Sequence, residues 1–204
     1  MLRIYIGPMY AGKTTLLMNM FVENPSDKKE IYDFEMGVKC YKGVLHNHDV
    51  RTLPALKCEH LYDTKDVYAQ RGNVGLAHDS LSVYDPHPDP VKHPEMFPWA
   101  NRFADHIYIN EAQFFPDLQA FVLDALKQHK HVYIYGLDGD FQQKKMGQVL
   151  DLIPHCHEVV KLSSICAKCG ERAIYSKRLT DSNVQYLPDE TAYLPLCRLC
   201  FDII

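Results

Sequence analysis

The sequence predicts an α/β fold in which a mostly parallel sheet is flanked by helices, with a small subdomain at the carboxyl end. An apolar run at residues 2–6 leads through a glycine-bounded loop into a helical run at residues 14–22. Short apolar strands and helical stretches then alternate as far as about residue 160, which is typical of parallel sheets. Beyond that point the pattern changes to paired cysteines and turns. We therefore expect a principal domain at 1–160 and a subdomain at 161–204.

Further elements follow from short apolar runs and from helical spacing. Strands are expected at residues 38–41, 81–84, 106–109 and 132–135. A helix is expected after Pro116, where the apolar residues are Leu118, Phe121, Val122, Ala125 and Leu126. Residues 85–98 contain five prolines, which exclude a continuous helix or a central strand and predict a surface excursion.

Composition excludes several classes of protein. The 204 residues are 47% hydrophobic and 24% charged, values that are ordinary for globular proteins and unlike those of disordered or fibrous chains. A net charge of −4 gives no electrostatic reason to expect a nucleic-acid or membrane partner. The apolar run at residues 2–6 is too short for a signal peptide or a membrane span, so we expect a cytoplasmic protein that acts on small molecules.

A phosphate-binding loop is the strongest local motif. It matches GxxxxGK[ST] and reads Gly7-Pro8-Met9-Tyr10-Ala11-Gly12-Lys13-Thr14. It follows a strand and precedes a helix, as the motif requires, so that backbone N–H groups and the helix N-terminus can bind phosphate. Lys13 would reach the terminal phosphates and the Thr14 hydroxyl would bind Mg²⁺. The alternative, a glycine turn with an exposed lysine, is disfavoured by that context.

A carboxylate follows the strand at residues 106–109. Glu111 is expected at the carboxyl end of the sheet, where open α/β folds bind their ligands. It could accept the proton of an attacking hydroxyl, or it could be a solvated acid at a strand end. The segment alone does not decide between these alternatives.

Four cysteines form two CxxC pairs separated by 27 residues, namely Cys166, Cys169, Cys197 and Cys200. Four thiolates suit a closed, structural Zn²⁺ site that would clamp the loop at residues 170–196. Two redox pairs are the weaker alternative, because neither pair opens a helix after a strand. Cys40, Cys58 and Cys156 are interpreted as unliganded thiols. Adjacent residues on an extended segment point to opposite sides, so the run at residues 155–157 (HCH) is a weak candidate for a metal site.

Several of these motifs, in the same order, make the chain resemble the zinc-containing type II thymidine kinases over about two thirds of its length. They are residues 6–15 (IGPMYAGKTT), 111–115 (EAQFF), 136–142 (GLDGDFQ), 160–162 (VKL) and 177–179 (KRL), and Tyr193 four residues before the second CxxC pair. The resemblance implies a P-loop NTPase-like domain and a zinc-bearing lasso loop. It also implies transfer of the ATP γ-phosphate, with Mg²⁺, to the 5′-hydroxyl of thymidine.

The resemblance assigns roles to individual residues, with Glu111 as the general base and Lys13 as its catalytic partner. The residues implied to bind ATP are Gly7, Pro8, Met9, Tyr10, Ala11, Gly12, Lys13, Thr14, Thr15, Arg51, Asn110 and Gln113. Those implied to bind thymidine are Met9, Phe114, Leu137, Phe141, Met146, Ser176, Val184, Tyr186, Pro188 and Tyr193. A homotetramer or dimer and feedback binding of dTTP are further implications.

The chain departs from the family pattern at two places. Asn110 stands where the family usually has an aspartate near Mg²⁺, so we expect weakened metal binding that Asn110→Asp would restore. Pro188-Asp189 stands where the lasso commonly has Gly-Gly, and proline removes a backbone donor there. Asp49-Val50-Arg51 resembles the family's phosphate-contacting DxR element, and Ala77-His78-Asp79 resembles its T-H-D/N element. These departures keep two alternatives open: a kinase of altered nucleoside preference, and a weak paralogue that binds nucleotide as a regulatory subunit.

Overall fold

A computed structural model describes residues 1–64 and 104–203. In chain order its main elements are β1 Leu2–Ile6, α1 Lys13–Glu23, β2 Lys29–Phe34, β3 Tyr41–His46, β4 Thr52–Cys58, β5 His106–Asn110, α2 Leu118–Lys127, β6 His131–Gly136, β7 Glu158–Lys161, β8 Ser164–Ile165, β9 Arg172–Ala173, β10 Tyr175–Arg178, β11 Tyr193–Leu196 and α3 Arg198–Ile203. Short 3₁₀ turns lie at Leu61–Asp63, Ala112–Phe114, Val149–His155 and Glu190–Ala192. None of the helices in these two ranges is long and apolar enough to span a membrane.

Seven of the described strands form one sheet in the order β3-β4-β2-β5-β6-β1-β7. Neighbouring strands are parallel except for the β3–β4 pair, which is an antiparallel hairpin at one edge. The strand that precedes the phosphate loop, β1, therefore lies between β6 and β7, and β6 and β5 separate it from β2. The predicted mostly parallel α/β fold is confirmed.

Helices cover both faces of the sheet, and alternate residues of each strand divide the core between them. Ile107 and Ile109 of β5 belong to the apolar cluster that contains α2. Tyr108 between them belongs to the cluster on the α1 side. Because side chains alternate along a strand, this pattern buries both faces, as parallel sheets require. The carboxyl ends of β1, β5 and β6 are left to form one edge that is lined by loops.

The carboxyl-terminal part forms a separate small layer of two short hairpins. β10 pairs with β11, and β8 pairs with β9, both antiparallel. A third apolar cluster lies here, and it contains Cys166, Ala173, Leu196 and Cys197. The predicted change of architecture near residue 160 is therefore visible, while the division into domains at that residue stays a prediction.

The strand expected at residues 38–41 is wrong except for its last residue, because Tyr41 begins β3. The chain turns before it, at Gly37, which has a left-handed φ of 75°. In the same sheet, β2, β4 and β7 were not predicted from the sequence. The predicted strand at 81–84, the proline-rich excursion at 85–98 and the element at 77–79 lie outside the described residues.

Candidate active site

The phosphate loop connects β1 to α1 at the carboxyl edge of the sheet. Gly12 takes a left-handed φ of 74° where the loop enters the helix, a conformation that suits glycine. Gly7 lies so close to the strand-end backbone that an added Cβ would be 2.7 Å from the carbonyl oxygen of Leu162. Both glycines of the motif are thus required by the backbone path.

Lys13 is buried beneath this loop. Its Nζ donates to the carbonyl oxygens of Gly7, at 3.2 Å, and Pro8, at 2.7 Å. Burial lowers the pKa of the Lys13 ammonium, and the nearby carboxylates of Glu111 and Asp138 partly oppose that shift. The Lys13 ammonium is therefore weakly hydrated, which strengthens its electrostatic interaction with a phosphate bound in the loop.

A cleft of about 780 Å³, counting the part open to solvent, lies above the loop. Its lining residues are Met9, Tyr10, Ala11, Gly12, Lys13, Thr14, Thr15, His48, Glu111, Leu137, Tyr186 and Glu190. The structure therefore brings the predicted P-loop residues 9–15 and the predicted base into one cavity. His48 and Glu190, which the sequence analysis did not single out, complete the rim.

Glu111 follows β5 in a left-handed backbone conformation, with a φ of 48°. Gln113 Nε2 donates to Glu111 Oε2 at 2.6 Å, and Gln113 Oε1 accepts from the backbone N–H of Leu137 at 2.9 Å. Burial raises the pKa of the Glu111 carboxyl, while Lys13 and the hydrogen bond from Gln113 oppose the shift. A left-handed φ on a non-glycine residue is a feature found at functional sites.

Asn110 is engaged with a neighbouring strand. Its Nδ2 donates to Asp33 Oδ1 at 2.9 Å, and both residues are buried. Asp33 Oδ2 accepts from Lys57 Nζ. β2 and β5 align these residues directly, since Asp33 and Asn110 are partners in the parallel register. A carboxylate is therefore present beside Asn110, on a strand that the sequence analysis missed.

The turn of the β3–β4 hairpin packs against α1 and the phosphate loop. Asn47 Nδ2 donates to Thr15 Oγ1 at 3.1 Å. Arg51 Nη1 donates to Asn19 Oδ1 at 2.8 Å on α1, and Arg51 is not among the residues that line the cleft. His48 lines the cleft, with its Nε2 3.7 Å from Glu190 Oε2. The polar run at residues 46–49 (HNHD) could have indicated Asn47 and His48 as candidate site residues.

A second cavity lies next to the cleft and is shared by β10, β11 and the loop after β6. Its lining residues are Met9, Leu137, Gly139, Asp140, Phe141, Met146, Ser176, Gln185, Tyr186 and Tyr193. Seven of these are residues that were predicted to bind the nucleoside. Phe114 is close by, with its ring 4.4 Å from that of Tyr186. Val184 and Pro188 are exposed and line neither cavity.

The two cavities are joined by direct contacts. The Met9 backbone N–H donates to Ser176 Oγ at 2.9 Å, so the phosphate loop is attached to β10. Tyr10 Oη donates to the Glu190 carbonyl oxygen at 2.8 Å. The phosphate loop is thus bonded both to β10 and to the 3₁₀ turn at Glu190–Ala192 that precedes β11.

The four paired cysteines converge. Their Sγ atoms all lie within 4.8 Å of one another, and those of Cys169 and Cys197 are 3.6 Å apart. Tetrahedral Zn²⁺ with Zn–S bonds of about 2.3 Å separates its sulfurs by roughly 3.8 Å, so the cluster fits zinc. In the described residues it is also the one group of three or more His, Cys, Asp or Glu side chains close enough to bind a metal.

The other candidate thiols and imidazoles have ordinary partners. Cys156 Sγ donates to the Ile153 carbonyl oxygen at 3.0 Å, and His157 Nδ1 accepts from the Leu2 backbone N–H at 3.1 Å. Cys58 is fully buried in the core, with Cys40 packed near it. These contacts agree with the interpretation of Cys40, Cys58 and Cys156 as unliganded thiols.

Comparison with known proteins agrees with this architecture. Residues 99–201 match the family model for thymidine kinase. The chain is 29% identical to human cytosolic thymidine kinase over 203 residues, which cover 98% of this chain and 72% of the relative. It is 29% identical to thymidine kinase 1 of Dictyostelium discoideum (98% and 77% covered) and 27% identical to thymidine kinase of variola virus (98% and 96% covered). The chain belongs to the thymidine kinase family.

Proposed function

We propose that the protein transfers the γ-phosphoryl group of ATP to the 5′-hydroxyl of thymidine, giving dTMP and ADP in nucleotide salvage. The observation that carries the proposal is the partly buried Glu111, held by Gln113 in the same cleft as Lys13. A carboxylate and an ammonium at the mouth of a phosphate loop are what phosphoryl transfer to a hydroxyl needs. The names of the relatives identify the nucleoside.

In the proposed reaction Glu111 is the base. Its carboxylate accepts the proton of the 5′-hydroxyl as the hydroxyl oxygen bonds to the γ-phosphorus. The bond between that phosphorus and the β,γ-bridging oxygen breaks, and ADP carries away the electron pair. Gln113 fixes the carboxylate through its donated hydrogen bond, because its own amide oxygen is anchored to the Leu137 backbone. This support keeps the base oriented in the cleft.

Lys13 and the loop are proposed to bind the triphosphate. The loop offers backbone N–H groups, and the Lys13 ammonium neutralises charge that develops on the transferred group. The Thr14 hydroxyl is the proposed ligand of Mg²⁺, which would supply positive charge against the phosphates. Asn110 and Asp33 lie on adjacent strands near this end of the sheet, and Asp33 offers the negative charge that the amide lacks.

Zinc is proposed to be bound by the four cysteines and to play a structural role. Cys166 follows β8 and Cys197 follows β11, so the ion would clamp the base of the segment between β10 and β11. That segment contributes Gln185 and Tyr186 to the second cavity. We propose that this cavity receives the nucleoside and that zinc serves recognition indirectly.

The remaining proposals rest on relatives alone. Thymidine and ATP are the expected ligands, and dTTP is proposed as a feedback ligand. A homotetramer or dimer is proposed from the family resemblance, and a location in the cytoplasm is proposed because cytosolic and viral thymidine kinases are among the relatives.

A nucleoside panel tests the activity. Thymidine, deoxyuridine, deoxycytidine and deoxyguanosine are each incubated with radiolabelled ATP, Mg²⁺ and purified protein, and labelled monophosphate is measured per enzyme. Thymidine should be the best substrate, and Lys13→Ala serves as the background control. A different preferred nucleoside would favour the alternative of altered specificity. No turnover with any nucleoside, together with measurable nucleotide binding, would favour the regulatory paralogue.

A further inference from the structure

The inference concerns Arg178, the last residue of β10, which the sequence analysis left without a role. Its side chain is about 94% buried, being 6% exposed, an unusual state for a cationic residue. Burying a guanidinium is costly unless hydrogen bonds replace its water. The hydrogen-bond acceptors that replace this water therefore show which part of the chain Arg178 binds.

Most of those partners are backbone oxygens of one segment. Arg178 Nη1 donates to the carbonyl oxygens of Ser182, at 3.0 Å, and Val184. Nη2 donates to the carbonyl oxygen of Gln185, at 3.0 Å, and to the hydroxyl of Tyr193. A planar guanidinium with a fixed fork of donors is well suited to hold several oxygens in a set geometry.

The same guanidinium contacts two aromatic residues that line the second cavity. Its Cζ is 3.8 Å from the ring centroid of Phe141 and 5.1 Å from that of Tyr193, distances at which a cation is attracted to an aromatic face. Phe141, Tyr193 and Gln185 all line that cavity. Arg178 itself is not among the lining residues. It therefore contacts the wall of the cavity from behind.

The segment held by Arg178 has two further anchors. Gln185 Nε2 donates to Asp140 Oδ2 at 3.0 Å, which ties the segment to the loop after β6. The backbone N–H of Leu187 donates to the Tyr193 hydroxyl at 2.9 Å, so that hydroxyl accepts from both the segment and Arg178. Tyr186 lies between Gln185 and Leu187 in the sequence, and its ring contacts that of Phe114.

We propose that Arg178 is a positioning residue that fixes residues 182–187 in the shape that recognises the nucleoside, acting through their carbonyls and not by touching substrate. This inference rests on the proposed function of the second cavity as the nucleoside site. A segment of irregular backbone has many alternative conformations, and a buried cation that binds three of its carbonyl oxygens removes those alternatives before the nucleoside binds. Losing Arg178 therefore weakens nucleoside binding more than it slows the transfer step.

Lys177 supplies a matched control on the same strand. Neighbouring residues of a strand point to opposite faces, and Lys177 places its Nζ 4.6 Å from the ring centroid of Phe201 on α3, away from the cavity. Lys177→Met removes one cation from β10 without touching residues 182–187. Arg178→Met removes the guanidinium at similar length, and Arg178→Lys keeps the charge with a donor that cannot span the same oxygens.

The test measures thymidine and ATP kinetics, zinc content, and amide hydrogen exchange of residues 182–187 in all four proteins. Arg178→Met should raise the KM for thymidine about tenfold or more, with kcat changed by less than about threefold and the ATP KM and zinc content unchanged. Amide exchange of residues 182–187 should be faster in Arg178→Met than in wild type. Arg178→Lys should be intermediate in both exchange rate and KM for thymidine, and Lys177→Met should match wild type in both.

Two results would overturn the inference. One is wild-type exchange of residues 182–187 in Arg178→Met, which would mean that the guanidinium does not hold the segment. The other is faster exchange with an unchanged KM for thymidine, which would mean that the held shape does not matter for recognition. A wild-type protein that lacks thymidine turnover would instead refute the proposed function, and the exchange comparison would still decide whether Arg178 orders the segment. Should Arg178→Met lose its fold, the Lys variant decides the same questions.

Discussion

Asn110→Asp is expected to destabilise the protein, although the family pattern alone recommends that change for stronger Mg²⁺ binding. The amide nitrogen that donates to Asp33 Oδ1 at 2.9 Å would become an oxygen, so a buried hydrogen bond would be lost and two carboxylates would be in contact. A lost hydrogen bond to a charged partner costs about 1.5–3 kcal/mol. Repulsion between two charges about 4 Å apart adds on the order of 4 kcal/mol at an effective dielectric constant near 20.

The net loss should be smaller than that sum. Lys57 already neutralises the far side of Asp33, and the carboxylate pair can share a proton. We expect the free energy of unfolding to fall by roughly 3 kcal/mol at pH 8. The loss should be smaller at pH 5, because a retained proton restores a donor between the two groups. Urea unfolding at both pH values measures this directly.

A double variant provides the control. Asp33→Asn combined with Asn110→Asp restores one carboxylate and one amide donor in the same place, with their positions exchanged. It should recover about 2 kcal/mol relative to Asn110→Asp alone. An Asn110→Asp protein as stable as wild type at pH 8 would refute the reasoning, because residues 33 and 110 would then not be in contact.

Two further predictions concern the phosphate loop and the cysteine cluster. Lys13→Ala should lower kcat by about a hundredfold or more while urea unfolding stays cooperative, since the ammonium neutralises transition-state charge; a variant with wild-type kcat would contradict that role. Purified protein should contain one zinc per chain by atomic emission after dialysis, and Cys200→Ser should lose it, whereas Cys156→Ser, outside the cluster, should keep it. Stoichiometric disulfides without metal in the wild type would exclude the zinc proposal.

Those parts of the fold that carry regular patterns could be predicted from sequence. β1, β5 and β6 are short apolar runs, and the spacing of Leu118, Phe121 and Val122 predicted α2. The phosphate loop and the CxxC pairs have fixed residue spacings, because the residues of each motif must bind one phosphate group or one metal ion. Each of these signals is local, so no tertiary contact was needed to recognise it.

β2 could not be recognised because its charge is satisfied by tertiary contacts. Lys29, Glu30 and Asp33 interrupt the apolar pattern, yet Asp33 is buried between Asn110 and Lys57. Strand propensity is weak against such context. For the same reason Asp33 was not predicted as a site residue, because its hydrogen bond with Asn110 forms only when β2 pairs with β5.

Residues of the rim were missed for a different reason. His48 and Glu190 lie far apart in sequence and meet over the phosphate loop only because the hairpin turn and the segment after β10 both fold onto it. Arg178 was part of a recognised motif, but three of its four hydrogen-bond acceptors are backbone oxygens, which have no sequence signature. Such contacts become visible only in the structure.

The central claim is that Glu111 is the base of a thymidine kinase, and Glu111→Gln tests it most directly. The glutamine keeps the shape but cannot accept the proton, so single-turnover transfer to thymidine should slow by about 10² to 10⁴ while the thymidine Kd changes little. Because burial raises the pKa of Glu111, wild-type kcat/KM should fall on acidification at a pH above the ordinary carboxyl range, and that limb should vanish in the variant. A variant that transfers phosphate at the wild-type single-turnover rate, with a weakened thymidine Kd, would contradict the account and make Glu111 a binding residue.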